Sequence, residues 1–470
     1  MNRAADSIPP LTALGRLRYW WLRLAGALPH ARGETADDRA HSHLVAQMRE
    51  LLEASRAQRG GETSARARAE QIAAIYRGAD SAQRATILNL ITREFAPDRD
   101  ALDAALGAMQ SAANATELSR AEAQLRLALD APRARFFTQF NLIPEGVKFL
   151  VDLRHDLLGL LARDPSLEVL QVELDGLLAS WFDPGFLELQ RISWHSPALI
   201  LEKLIAYEAV HPIESWNDLR NRLDTDRRCY AFFHPRMPNE PLIFVEIALV
   251  KGVPANVQLL LDQKAPVHDP QAADTAVFYS ISNTQRGLRG ISLGNLLLKR
   301  VIEDLRRDLP QLKVFATLSP LSGFRKWLEP AAAQDATLLA PADAVKLARV
   351  LGIDAREAPL AAALARPDWA SDAKLAEALR EPMEKLCARY LLKEKSGGQP
   401  LDPVANFHLN NGARVQGLFW LADPSARGMR QSYAMMVSYR YDPEEVDRNH
   451  ERFLHNGQIA ASPRVLRLAS

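Results

Sequence analysis

Cysteine is nearly absent. Cys229 and Cys387 are the only two in 470 residues, too few for a disulfide scaffold and in keeping with a reducing compartment. Both read as small buried hydrophobes. Charge of neither sign prevails, with 58 Lys+Arg against 57 Asp+Glu. Nucleic acid and membrane surfaces are therefore not the expected partners, and any anion site must be local. No uninterrupted apolar run reaches the length of a membrane span. There is no Gly-x-Ser-x-Gly elbow and no Gly-Lys-Ser/Thr ending, which argues against a nucleophilic hydrolase and a Walker-type phosphate loop. His41-x-His43 has ligand-like spacing but no third partner, so no metal is expected.

Leu11–Gly33 is the one candidate targeting segment. Arg16, Arg18 and Arg23 interrupt it, which spoils a secretory core. It reads as a flexible tail or surface helix, with an amphipathic presequence as the alternative. The final residues do not spell a peroxisomal signal. The expected location is a bacterial cytoplasm, with a mitochondrion as the lesser alternative.

What is present divides the chain in two. Residues 1–185 carry helical spacing throughout: Leu44, Met48, Leu51 and Leu52 in one stretch, Val147, Leu150, Val151, Leu157 and Leu158 in another. Asp164-Pro165 is a cap followed by proline at a first helical position. This is an all-helical domain with more amphipathic surface than one neighbour needs, and an oligomerisation role is expected of it. In residues 186–470 the texture changes. Runs at 241–250, 275–282, 313–319, 415–423 and 432–441 are strand-like and separated by helical runs at 292–308, 342–364 and 371–393. The expected fold is α/β with a central mixed sheet, the last two strands forming a hairpin across Pro424–Gln431.

Between the strand ending near Ser282 and the helix marked by Leu293, Leu297, Val301 and Leu305 lies a turn with three glycines and two arginines. A helix N-terminus offers unpaired N–H groups and partial positive charge, and glycine lets that backbone approach an anion. Arg286 and Arg289 add local charge. The stretch fits a phosphate or pyrophosphate cradle. Arg289-Gly290-Ile291-Ser292-Leu293-Gly294-Asn295 resembles the CoA pyrophosphate loop of GNAT-type acyl-CoA transferases, with Ser292 in place of the middle glycine.

Other blocks widen the resemblance. "EAVHPIESWNDLRNRL", "CYAFFHPRMPNEPLIFVEIAL", "FYSISNTQRGLRGISLG", "FATLSPLSGFRKWL" and "DPVANFHLNNGA" together look like malonyl-CoA decarboxylases, in order across residues 190–441. That family implies a helical N-terminal domain, a GNAT-like catalytic domain, loss of carbon dioxide from malonyl-CoA to give acetyl-CoA, a homo-oligomer (dimer or tetramer), and no metal, biotin or other cofactor. By position it implies that Arg289 to Asn295 hold the CoA pyrophosphate. It likewise implies that Ser319 and His408 are catalytic and contact substrate, that Tyr441 supports them, and that Ser280 lines the thioester. Relatives can carry a carboxylate where this chain has Ser292.

The chemistry suits these residue types. Decarboxylation leaves an enolate, whose oxygen needs hydrogen-bond donors and whose α carbon needs a proton. Histidine suits proton delivery. His408 reads as the donor, in an asparagine-rich turn, and Ser319 as its polar partner at a strand end; whether that serine accepts a proton or only donates a hydrogen bond stays open. A GNAT-type acyltransferase is the main alternative, and a silent CoA-binding scaffold a third. His211 and His234 precede prolines and read as turn residues. Trp194 and Trp327 read as packing.

Overall fold

A computed structural model describes residues 36–129, 132–291, 293–334 and 338–470. The candidate targeting segment and Ser292 lie outside these residues. The chain divides into two compact units, Met1–Leu178 and Ala179–Ser470, with the helix Glu168–Trp181 crossing the division.

The first unit is helical wherever it is described. Its turns carry the local signals expected of them: Asp80 and Gln83 form a reciprocal capping box ahead of the helix Ser81–Glu94. Asp164 accepts from the Ser166 N–H where a short 3₁₀ turn leads into Glu168–Trp181. The core is aromatic. Phe136 stacks on Phe95 and meets Phe140 edge-on, and Phe140 stacks on Phe149.

The second unit is built on an eight-stranded mixed sheet. Its strands are β1 (Glu188–Ile192), β2 (Arg227–Phe233), β3 (Ile243–Val250), β4 (Thr275–Asn283), β5 (Val314–Thr317), β6 (Ser319–Pro320), β9 (Arg414–Phe419) and β10 (Met436–Tyr441). A separate small hairpin pairs β7 (Lys395–Ser396) with β8 (Gln399–Pro400). β2 is buried at every position and β3 at all but the last, as continuous apolar runs require when both faces are covered. β1 to β4 are antiparallel neighbours. β4 and β5 run parallel, joined by the crossover helix Gly294–Asp308.

That parallel pairing stops early. β4 pairs with β5 only over Thr275–Phe278, and the Leu318 N–H reaches the Phe278 carbonyl as the last link. Beyond it β4 continues to Asn283 paired with β3 and not with β5, while Ser319 and Pro320 pair with Val437 and Met436 of β10. The two strands thus part at the centre of the sheet, leaving an opening between them.

Three expectations change. β9 and β10 do pair antiparallel, but the helix Ala426–Ser432 connects them in place of a tight turn. The helical run at 342–364 is two helices, Pro341–Leu351 and Pro359–Ala365, separated where Gly352 adopts φ +72°. Ser319 does not end the fifth strand: Leu318 breaks it, and Ser319 opens a second short segment along β10.

Candidate active site

The opening between β4 and β5 is a cavity of about 240 Å³. Phe278, Ser280 and Ile281 of β4 form one wall, Ser319 and Pro320 another, and Val404, Phe407 and His408 a third. The last three come from the helix Pro403–Asn410. Asp402 starts that helix by accepting the N–H groups of Val404 and Ala405, and Pro403 sits at its first position. His408 is therefore on a helix, not in the turn expected from its asparagines; the Asp-Pro start outweighs them.

His408 is 2% exposed. Its Nε2 lies 3.1 Å from Ser319 Oγ and its Nδ1 lies 2.7 Å from the Tyr441 hydroxyl. Tyr439 stacks on the ring at 4.4 Å between centroids and 24° between planes. Tyr439 and Tyr441 are two residues apart on β10, so the strand's alternation places both on the face that meets His408. Burial pushes the His408 imidazole down to about 3, so the ring is neutral at ordinary pH. The Tyr441 phenol is pushed well up by burial and stays protonated. Ser319 in turn donates to Thr317 Oγ1 at 2.9 Å.

Ser280 lines the same cavity, but its hydroxyl is committed behind the sheet. Its Oγ lies 2.7 and 2.8 Å from the two carboxylate oxygens of Glu208. Glu208 also accepts from Ser282 and from the N–H groups of Val210 and His211. Beside this knot, Glu246 pairs with Arg222 at 3.0 Å, and Arg222 pairs with Asp218 at 2.9 Å. Glu246 is the one charge in the otherwise apolar run at 241–250. Glu208, Thr317 and Tyr439 passed unnoticed, and no local pattern marks them.

The loop expected to hold pyrophosphate follows β4 directly. A 3₁₀ turn, Arg286–Leu288, leads to Gly290 at φ +92° and then to the helix Gly294–Asp308, which no side chain caps among the described residues. Arg289 and Gly290 are exposed, Ile291 is half-buried, and Leu293 is buried. Leu293 therefore faces the core and has only backbone to offer a ligand. Asn295 falls in the first turn of the helix. Arg289, Gly290, Ile291 and Leu293 do not line the cavity itself, whereas Asn283, just before the loop, does.

Of the remaining residues, His211 is buried with no partner for Nε2 among the described residues, and His234 bonds the Trp181 carbonyl. Neither is a simple turn residue. Trp327 packs between Phe324 and Tyr390, while Trp194 is partly exposed against Trp216. No cluster of three or more metal-ligating side chains occurs among the described residues, and none of their helices is long and apolar enough to cross a membrane.

Comparison with known families now decides the assignment. Residues 185–469 match the malonyl-CoA decarboxylase C-terminal domain, and residues 95–182 match the N-terminal domain of the same family. The chain belongs to the malonyl-CoA decarboxylase family. The mitochondrial malonyl-CoA decarboxylase of Rattus norvegicus is 38% identical over 409 residues, 83% of each chain. That of Anser anser anser is 36% identical over 420 residues, covering 86% of this chain and 83% of the relative. The crystal structure of malonyl-CoA decarboxylase from Rhodopseudomonas palustris superposes with a TM-score of 0.80 at 42% identity, over 91% of this chain and 99% of that one. The Agrobacterium vitis structure gives 0.82 at 40%, over 90% and 100%. A malonyl-CoA decarboxylase of this family is thus a helical region followed by a mixed α/β sheet, as the residue patterns and the GNAT-like resemblance led one to expect.

Proposed function

We propose that this protein is a carboxy-lyase that converts malonyl-CoA to acetyl-CoA and carbon dioxide, with His408 supplying the proton that replaces the carboxylate. The observation that carries the reading is the buried Tyr441–His408–Ser319 chain of hydrogen bonds opening into the cavity between the parted strands. Arg289 to Asn295 hold the CoA pyrophosphate, and the acyl group enters between β4 and Ser319. Among the described lining residues none is Lys or Arg. A malonyl carboxylate there lacks a fixed counter-charge, a setting that favours its loss as neutral carbon dioxide.

The bond from the α carbon to the carboxylate breaks, and its electron pair passes into the thioester enolate. A new C–H bond forms at the α carbon with a proton from the His408–Ser319 pair, and one proton is taken from solvent per turnover. The approaching carboxylate opposes the effect of burial on His408 and favours a second proton on the imidazole. The resulting imidazolium delivers one proton to the α carbon, and the ring returns to neutral.

No added metal or organic cofactor takes part in this scheme, and turnover is expected to persist in a chelator. Self-association through the helical unit accords with its exposed leucines, Leu127 at 70% and Leu129 at 53%. Balanced charge supports neither a nucleic-acid nor a membrane partner, and a cytoplasmic location goes with this reading. The test is to mix purified protein with malonyl-CoA and no acceptor. Acetyl-CoA and carbon dioxide in equal amounts support the reading. Inert malonyl-CoA with CoA still bound overturns it in favour of a GNAT-type acyltransferase.

A further inference from the structure

Ser319 and His408 share one hydrogen bond, and which partner donates decides what each can do. The pair alone leaves the direction open, because a neutral imidazole can donate or accept at Nε2. The direction is set one residue further back. Thr317 ends β5 and is fully buried, and it does not line the cavity. Its Oγ1 accepts the Ser319 hydroxyl at 2.9 Å and the Tyr439 N–H at 3.0 Å. That N–H lies where β10 passes from pairing with β5, at Arg440 and Tyr441, to pairing with β6, at Met436 and Val437, across the break at Leu318.

We infer that Thr317 is a positioning residue: by accepting the Ser319 proton it leaves Ser319 Oγ as an acceptor and holds His408 with its proton on Nε2. A serine hydroxyl has one proton. With that proton on Thr317, the 3.1 Å contact to Nε2 must be supplied by the ring. Nδ1 is then the lone-pair nitrogen, and the Tyr441 hydroxyl, 2.7 Å away, donates to it. The three bonds run in one sense, from Tyr441 through the imidazole and Ser319 to Thr317. At rest the proton shared by the pair belongs to His408, and Ser319 is not activated as a base or nucleophile. Because Thr317 Oγ1 also receives the Tyr439 N–H, the same atom ties the ring stacked on His408 to the pair it orients.

The inference rests on the decarboxylase reading for its consequence but not for its test. The full-length protein is labelled with ¹⁵N-histidine, and the His408 nitrogens are assigned by comparison with His408→Gln and observed without ligand. Wild type is expected to show an Nε2–H imidazole. Thr317→Val removes the acceptor at nearly constant shape; the Nε2–H preference is expected to weaken as Ser319 turns its proton to the ring. With malonyl-CoA, kcat is expected to fall about tenfold or more while KM stays within about twofold. Thr317→Ser restores the oxygen and is expected to restore both readouts. An Nδ1–H imidazole in wild type overturns the inference. So does a folded Thr317→Val protein with unchanged tautomer and unchanged kcat, or a kcat loss that Thr317→Ser does not relieve. If Thr317→Val does not fold, the wild-type tautomer and the Thr317→Ser protein still decide the matter. If malonyl-CoA is not turned over at all, the tautomer alone decides.

Discussion

The Phe407 ring packs against the bare backbone of Gly294, so closely that a Cβ there would lie 2.3 Å from Phe407 Cε2. Gly294 opens the helix behind the loop proposed to hold pyrophosphate, and Phe407 precedes His408 on the short helix Pro403–Asn410. A glycine that looks reserved for an anion thus also sets the distance between two helices. Gly294→Ala is expected to shift the helix carrying His408, lowering kcat and costing about 1–3 kcal/mol of stability as an overpacked core does. Denaturant midpoints and turnover check this together. An alanine variant with wild-type stability and rate would show that the contact relaxes freely.

Two buried neutral histidines make stability depend on acid. Burial lowers His211 to about 4 and His408 to about 3, both from an ordinary value near 6.5. Between pH 6.5 and about 4 the unfolded chain binds protons that the folded chain refuses, so stability must fall as pH falls through that window. His211 accounts for about 3 kcal/mol of this at most. Unfolding midpoints measured from pH 7.5 to 4.5 are expected to drop, and His211→Gln is expected to flatten the slope. A slope unchanged by that substitution contradicts the assignment.

Substrate binding is expected to take up a proton. A neutral His408 facing a malonyl carboxylate gains the protonated form, whereas acetyl-CoA brings no such charge. Calorimetric titration of Ser319→Ala, slowed in turnover by about 10²-fold, in buffers of different ionisation enthalpy measures the uptake. Net uptake with malonyl-CoA and none with acetyl-CoA is the expected result. Equal uptake for both would place the proton elsewhere.

Arg289→Glu is expected to weaken CoA binding about tenfold or more at low salt by setting a like charge near the pyrophosphate. Calorimetry with CoA, repeated at higher salt, checks both the loss and its electrostatic origin. Full affinity in the variant would move the cradle to another loop.

Much of this molecule is legible from its sequence, and the parts that are not share a cause. Helix periodicity, the Asp164-Pro165 start and the apolar run of β3 are local signals, so they read directly. Ser319, His408 and Tyr441 stood out only within a wider resemblance, because serine, histidine and tyrosine at strand ends are ordinary. Glu208 lies 72 residues before Ser280 and meets it only after β4 is in place. Thr317 looks like any β-branched strand residue, and its role depends on the break between β5 and β6 along β10, which no spacing reveals. The asparagines at 410 and 411 suggest a turn at His408, but they close a helix that the Asp402-Pro403 cap begins.

The most direct measurement compares wild type with His408→Ala on malonyl-CoA, without acceptor, following carbon dioxide and acetyl-CoA while measuring CoA affinity separately. The account predicts equal yields of both products from wild type, a loss of about 10²-fold or more in the variant, and CoA affinity unchanged within about threefold. A variant that decarboxylates at the wild-type rate would contradict it.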